Sequence, residues 1–139
     1  MFFHDANHVL TGYNTILTDG EMAIAGFEIG SGCGPYVIAW LINLGAFAGG
    51  LVAGPRRMFR AFVRGRRTSS IYRRPESRDA IGNLTVTQLR SSLGLDHFDA
   101  VPTLDDRLRF AGWAVVALLP VLLAAAGGLQ VVRSVMGGR

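Results

Sequence analysis

Two uncharged stretches dominate the pattern of polar and apolar positions along this chain. The longer one runs for 23 residues from Phe110 to Val132, and the shorter one extends from Tyr36 to Ala53. A helix needs about 20 apolar residues to cross the hydrocarbon core of a bilayer, so the longer stretch suffices and the shorter one just reaches. The pattern predicts an all-α integral membrane protein in which two transmembrane helices, at about 36–53 and 110–132, form a hairpin.

The segment before the first span offers fewer signals. Residues 1–18 are polar and show no strong period, so we predict an irregular N-terminal tail. Thr18 and Glu21 have capping-box spacing, which predicts that a helix begins at Asp19. The glycine-rich run 30–35 leaves two arrangements open: one kinked helix over 19–53, or a helix at the outer interface followed by a separate span. The second is favoured because glycine and proline are costly inside a helix.

The connecting loop, residues 54–109, is predicted to contain short helices. Pro55 suits the first turn of a helix, and the apolar residues that follow lie opposite arginines at helical spacing. These apolar residues are Met58, Phe59, Phe62 and Val63. Thr85 and Gln88 form a second capping box, and Gly94 ends the small helix that it starts. Thr103 is expected to cap a helix that continues into the second span, after which residues 133–139 form a C-terminal tail.

The charges of the loop indicate the orientation. All fourteen basic residues are arginines, and twelve of them lie between Arg56 and Arg109. Short loops rich in arginine stay in the cytoplasm, so we predict a cytoplasmic loop with both termini outside, in a bacterial inner membrane. The arginines that directly follow the first span are expected to bind anionic lipid headgroups. They are Arg56, Arg57, Arg60, Arg64, Arg66 and Arg67.

The isoelectric point of about 10.2 also raises a nucleic-acid partner as a hypothesis. Residues 84–96 are similar to the first helix and turn of a helix-turn-helix motif. Pro102 would then lie inside the recognition helix, and several aspartates would face phosphates. We therefore expect anionic lipid, rather than nucleic acid, to be the partner of the basic loop.

Small residues spaced four apart form the candidate packing surface of the spans. They are Gly26, Gly30, Gly34, Ala39, Gly45, Ala46, Gly49, Gly50, Ala124 and Gly128. This spacing opens a groove that lets another helix backbone approach closely in a membrane. Asn43 lies in the same stripe and is expected to make a hydrogen bond across a helix contact. We predict that these faces bind other membrane-protein subunits or further copies of this chain.

Few residues are candidates for chemistry. His4 and His8 are one helical turn apart and can place two imidazoles on one metal, but they lie close to the N-terminus. A second group of ligand types has no recognised metal-site spacing: Asp96, His97, Asp99, Asp105 and Asp106. Glu28 faces water in the two-helix arrangement, whereas in the long helix it belongs to an ion or proton path. We expect no catalytic residue, no metal site and no cofactor.

The sequence favours a small accessory subunit of a larger inner-membrane complex, such as an energy-converting, secretion or conjugation apparatus. The alternative is a homo-oligomeric, holin-like pore, although Asn43, Gln130 and Glu28 are few polar residues with which to line a lumen. A membrane-tethered regulator that binds nucleic acid is a third hypothesis. No enzyme is expected, because about 100 residues outside the spans are too few for a large domain with its own core.

Overall fold

The computed structural model describes residues 2–74, 81–96 and 101–137, without the side chains of Thr18 and of residues 128–137. Within these ranges the chain is helical and has no strand. The α-helices are α1 (Phe2–Thr11), α2 (Met22–Ser31), α3 (Val37–Ala53), α4 (Pro55–Arg67), α5 (Val86–Ser92) and α6 (Leu104–Gly137). A π-helical turn, Leu17–Glu21, precedes α2, and a 3₁₀ turn, Ile71–Arg73, follows α4. The predicted all-α class is confirmed.

The N-terminal tail is helical, so the prediction of an irregular segment was wrong. Helix α1 buries Asn7, His8, Leu10 and Thr11, of which only one is apolar. A helix with a polar buried face shows no apolar period, which explains why the pattern did not reveal it. The helix ends at Gly12, whose φ of +78° is the left-handed conformation that glycine adopts at helix ends.

Helices α2 and α3 are separate, as in the second of the two arrangements considered from the sequence. Gly32 ends α2 with a φ of +88°, and Gly34 follows with a φ of +57°. These left-handed conformations turn the chain so that α3 packs back against α2. The glycine-rich run is therefore a tight turn.

Helices α2 and α4 cross with their backbones in contact. A Cβ atom added to Gly30 would lie 2.2 Å from the Phe62 carbonyl oxygen, and one added to Gly65 would lie 2.0 Å from the Phe27 carbonyl oxygen. Gly26 meets Met58 in the same crossing, with 2.6 Å from its added Cβ to Sδ. Part of the small-residue surface predicted to bind other subunits thus packs within the chain itself.

The other predicted packing residues differ in how closely their neighbours approach. A Cβ on Gly34 would lie 2.7 Å from the Tyr72 carbonyl oxygen, and one on Gly50 would lie 2.0 Å from Met58 Cε. Gly49 meets only the Met22 methyl group, and Gly45 has nothing within 4 Å of an added Cβ. The alanines are more accessible: Ala39 and Ala46 are half-buried and Ala124 is exposed. The packing of Gly128 is not described, because the structure gives only the backbone of residues 128–137.

The N-terminal helix and the loop form one packed body. A single apolar cluster joins α1, α2, α4, α5 and the 3₁₀ turn through residues that include Leu10, Phe27, Ile71 and Leu89. The Arg64 guanidinium donates to the Thr11 carbonyl at 2.9 Å. A bilayer cannot separate segments in direct contact, so the structure gives no support to a hairpin with the tail outside and the loop inside. Its α3, at 17 residues and about 25 Å, is also shorter than a bilayer core of about 30 Å.

Helix α6 begins in the body and leaves it. Its N-terminus is capped as predicted, since the Thr103 hydroxyl accepts from the Asp106 amide at 3.3 Å. Further along, the rings of Trp113 and Trp40 of α3 stack with centroids 5.3 Å apart. Residues Leu104–Gly127 are the one segment, in the ranges that the structure describes, that is long and apolar enough to cross a membrane. The two-span hairpin is therefore not confirmed.

Candidate metal centre

Three side chains from the first 21 residues converge at one point. His4 and His8 lie on α1, and Glu21 ends the π-helical turn. The two histidine Nε2 atoms are 3.3 Å apart. One oxygen of Glu21 lies 3.2 Å from His4 Nε2, and its other oxygen lies 3.2 Å from His8 Nε2. These three residues form a group with the donor types of a metal site.

Local structure places each member of the group. The four-residue spacing puts both imidazoles on one face of α1. The π turn is closed by a bond from the Glu21 amide to the Ile16 carbonyl at 3.2 Å, and its wide ring carries Glu21 toward that face. Gly20 is required beside it, because an added Cβ would lie 1.5 Å from the Asn14 carbonyl oxygen. Such single π turns occur frequently at functional sites.

Each imidazole has a hydrogen-bond acceptor beside its Nδ1 atom. His8 Nδ1 lies 3.0 Å from the Tyr13 carbonyl oxygen, which can only accept, so this nitrogen donates. His4 Nδ1 lies 3.2 Å from a carboxylate oxygen of Glu28 and donates by the same reasoning. In the neutral Nδ1–H tautomer the Nε2 atom carries a lone pair, whereas the protonated ring of His4 donates from both nitrogens, to Glu28 and to Glu21. Two lone pairs and a carboxylate thus point at a common centre, an arrangement that needs a cation or additional protons.

The spacing fits a tetrahedral metal ion. Zinc bound at 2.0–2.1 Å by nitrogen and oxygen ligands sets those ligands about 3.3–3.4 Å apart. The two imidazole Nε2 atoms are 3.3 Å apart, and each lies 3.2 Å from a different oxygen of Glu21, while one donor atom from each residue lies within 4.8 Å of the others. Each histidine also has the outer partner usual for a metal ligand, a carboxylate for His4 and a backbone carbonyl for His8. Two imidazoles and one carboxylate suit Zn²⁺, and the same donor set also holds Fe²⁺ in proteins.

Glu28 is the centre of a buried polar network. Its side chain is 0% exposed, so the prediction that it faces water was wrong. Asn7 Nδ2 donates to Oε1 at 2.8 Å, and Asn43 Nδ2 donates to Oε2 at 2.6 Å. The expected cross-helix hydrogen bond of Asn43 is therefore confirmed, with Glu28 of α2 as its partner. These donors satisfy a carboxylate that would otherwise be costly to bury.

The network shifts three nearby titrations. The hydrogen bond to Glu28 is the main cause that raises the pKa of His4 above 6.5, and burial opposes this effect. Burial, aided by the charge of Glu28, raises the pKa of the Cys33 thiol to about 12. Burial likewise raises the pKa of Tyr72. Cys33 and Tyr72 therefore stay neutral, and His4 holds a proton more firmly than a free histidine.

A cavity of about 370 Å³ opens beside the three converging side chains. His4 and Glu21 form part of its wall, together with the Glu28 partner Asn43. The other lining residues are mainly aromatic or aliphatic: Phe2, Phe3, Tyr36, Ile38, Ala39, Ile42 and Tyr72. A metal ion held by the three ligands would thus sit at the polar end of a largely apolar chamber.

The second group of candidate ligands does not gather at one point in the described residues. Asp96 lies 3.5 Å from Arg90, and Asp105 pairs with Arg109 at 3.0 Å. Asp106 is buried and accepts from Arg67 at 2.7 Å and from Arg66. His97 and Asp99 lie outside the described residues. The aspartates that can be placed therefore serve ion pairs.

The six arginines assigned to lipid headgroups divide into two sets. Arg56 and Arg60 are exposed on α4, where a headgroup can reach them. The other four contact the protein: Arg57 pairs with Asp19, Arg64 donates to the Thr11 carbonyl, and Arg66 and Arg67 reach the aspartates of α6. Much of the positive charge after α3 therefore holds the body together.

Sequence reasoning identified the histidine pair but not its third member. The reason for expecting no metal site was the position of the pair near the N-terminus, in a segment thought to be irregular, and α1 removes that reason. Glu21 was assigned to a capping box, whereas its carboxylate faces both imidazoles. The signal in the sequence was Glu21, an acidic residue that directly follows Gly20 and comes after both histidines in the chain. In comparisons with protein-family models, curated proteins and solved structures, nothing matches this chain.

Proposed function

We propose that this chain is a membrane-anchored metalloprotein whose ion is bound by His4, His8 and Glu21. The observation that carries the proposal is the convergence of His4, His8 and Glu21, whose ligand atoms, one from each residue, all lie within 4.8 Å of one another. Both histidines direct Nδ1 away from that point, toward Glu28 and the Tyr13 carbonyl, and Nε2 toward it. Zn²⁺ is the ion that the donor set and spacing favour.

The proposed role is metal-dependent catalysis on a mainly apolar molecule. Three protein ligands leave a fourth position open, as in catalytic zinc sites, and two of the ligands line the cavity. When bound, the metal would polarise an oxygen-bearing group or activate a water molecule. The apolar walls would hold the rest of the molecule, while the Asn43 amide offers a polar contact near the ligands. This proposal differs from the purely structural role expected from composition.

The membrane arrangement that we propose has a single span, helix α6. The body formed by α1–α5 would lie on the cytoplasmic side of a bacterial inner membrane, because it contains the arginine-rich loop. The C-terminus would lie on the opposite side. Support comes from the contact of α1 with the loop and from the exposed apolar residues of α6 beyond the body, Leu119, Val121, Leu122 and Leu123.

The cavity would then open near the lipid. Ile38 and Ile42 line it, and both are more than 60% exposed on α3. Helix α3 packs against the first part of the proposed span through Trp40 and Trp113. An apolar molecule in the cytoplasmic leaflet would reach the metal without passing through water.

Metal content of the purified protein tests the site. By elemental analysis we expect about one zinc ion per chain in the detergent-purified protein. The variants His4→Ala, His8→Ala and Glu21→Gln should each bind Zn²⁺ more than about 100-fold more weakly, because changes to the outer partners of metal ligands alone cost about 10–100-fold in affinity. His97→Ala is the matched control, since it removes the third histidine of the chain. Wild-type affinity in the ligand variants would reject the site, and iron in place of zinc would change the assigned metal.

Protease accessibility of terminal epitope tags tests the topology. In spheroplasts we expect a C-terminal tag to be cleaved and an N-terminal tag to be protected until the membrane is lysed. The hairpin with both termini outside predicts cleavage of both tags. The single-span proposal fails if the N-terminal tag is cleaved in intact spheroplasts.

Membership of a larger membrane complex remains a second proposal. The exposed apolar surface of α6 supports it, because this surface fits another transmembrane helix as well as lipid. Co-purification of fixed partners in mild detergent, lost on polar substitution of Leu122, would support it. The pore alternative is weaker, since Asn43 and Glu28 are bonded to each other inside the body.

A further inference from the structure

We infer that Glu28 is a positioning residue that holds His4 in the tautomer and orientation required for metal binding. The inference rests on the proposed metal site. It assigns a role to Glu28, which contacts the ligand His4 and is not itself a ligand. Its Oε2 atom lies 3.2 Å from His4 Nδ1, on the side of the ring opposite the converging atoms. Removing this acceptor would free the His4 ring to rotate or to move its proton to Nε2.

The surroundings make Glu28 a rigid acceptor. Asn7 holds Oε1 from α1, and Asn43 holds Oε2 from α3. The Asn7 amide is itself oriented, because its Oδ1 accepts from the Ile71 backbone amide at 3.3 Å. The donors around Glu28 leave it only the role of an acceptor toward His4, which must donate from Nδ1.

A purely structural role is the competing explanation. Glu28 ties α1, α2 and α3 together, so its loss would also loosen the fold. The two roles differ in what they predict for His4. A positioning residue acts on the metal through His4 alone, whereas a structural tie affects every ligand.

A double-mutant cycle separates these roles. We expect Glu28→Gln, which keeps the shape but removes the charge, to weaken Zn²⁺ binding by about 10–100-fold, as measured by chelator competition. In a His4→Ala background the same substitution should leave the residual affinity unchanged. Equal losses in both backgrounds would overturn the inference in favour of a structural role.

Asn43→Ala provides a matched control. It removes the hydrogen bond from Asn43 to Oε2 but leaves the negative charge and both acceptor oxygens of Glu28 available to His4. We expect a lower melting temperature for the metal-free protein but a smaller loss of Zn²⁺ affinity than in Glu28→Gln. An equal or larger loss of affinity in Asn43→Ala would count against a specific action of Glu28 on His4.

A measurement on the unmodified protein covers the case in which Glu28→Gln does not fold. Nitrogen-15 NMR of the histidine side chains should show His4 protonated at Nδ1 and bound to zinc through Nε2. Zinc bound through Nδ1 would overturn the inference even with an intact metal site. Unchanged Zn²⁺ affinity in all three ligand variants would instead reject the proposed function. Failure of the inference and failure of the proposed function are therefore distinguishable.

Discussion

Replacing Gly30 with alanine tests the crossing of α2 and α4. The added Cβ would lie 2.2 Å from the Phe62 carbonyl oxygen and 3.2 Å from the Arg66 amide nitrogen. Carbon–oxygen contacts in proteins are about 3.3–3.6 Å, so the two helices must separate by about 1 Å. Both opposing atoms belong to the backbone, and no side-chain rotation relieves the overlap.

The expected cost follows from two opposing effects. Overpacking a tightly packed contact costs about 1–3 kcal/mol. Exchanging glycine for alanine within a helix returns about 0.5–1 kcal/mol. The net loss of unfolding free energy is therefore about 0–2.5 kcal/mol, with a midpoint of about 1 kcal/mol, which corresponds to a fall in melting temperature of about 4–8 °C for a body of this size.

Thermal unfolding followed by circular dichroism at 222 nm, in one detergent and with chelator present, measures this change. Gly45→Ala is the matched control, because it places the same methyl group in α3 where nothing lies within 4 Å. It should keep or raise the melting temperature. If Gly30→Ala behaves like Gly45→Ala, the close approach of α2 and α4 is refuted.

Four further predictions concern charge and reactivity. Asp106→Asn should lower the unfolding free energy by about 2–3 kcal/mol in urea titrations, because it removes charge-assisted bonds from Arg66 and Arg67. Asp105→Asn, at an exposed position, should lower it less. Equal effects of the two substitutions would contradict the stabilising role of the buried ion pairs of Asp106. The raised pKa of His4 should stabilise the metal-free protein below pH 6.5, and this stabilisation should disappear as the pH rises through the raised pKa. If the melting temperature does not fall across this pH range, the raised pKa of His4 is refuted. Protons should also displace metal as the pH falls through the same range, measured as a weaker apparent Zn²⁺ affinity. Cys33, with a pKa of about 12, should react with a disulfide reagent at pH 8 only after unfolding, and rapid reaction of the folded protein would show that the thiol is not buried.

Apolar periodicity predicted the parts of this fold that have an apolar face. It located α4, whose buried Met58 and Phe62 lie opposite arginines, and the apolar stretch within α6. The capping box of Thr85 and Gln88 is present at the start of α5 as predicted. These features depend on residues close together in the sequence, which local physics can decide.

The candidate site escaped prediction because its signals are long-range. Glu28 contacts Asn43 across 15 residues, and a charged residue gives no indication from sequence alone that donors will surround it. Helix α1 buries polar atoms, so it lacks the apolar stripe by which helices are recognised. Gly26, Gly30, Gly34 and Gly50 lie in close contacts, whereas Gly45 does not. The spacing of the glycines cannot tell whether the neighbouring segment belongs to another molecule or to the same chain.

The anchoring of α1 sets the order in which the metal site can mature. The Arg90 guanidinium donates to the Leu10 carbonyl at 2.6 Å, a contact between residues 80 positions apart. Contacts of such separation form late, because the chain between them must first be ordered. During synthesis the two histidines emerge first, whereas the end of α1 gains its Arg90 partner only after α5 has been made. At the proposed site, metal loading would then follow folding of the body.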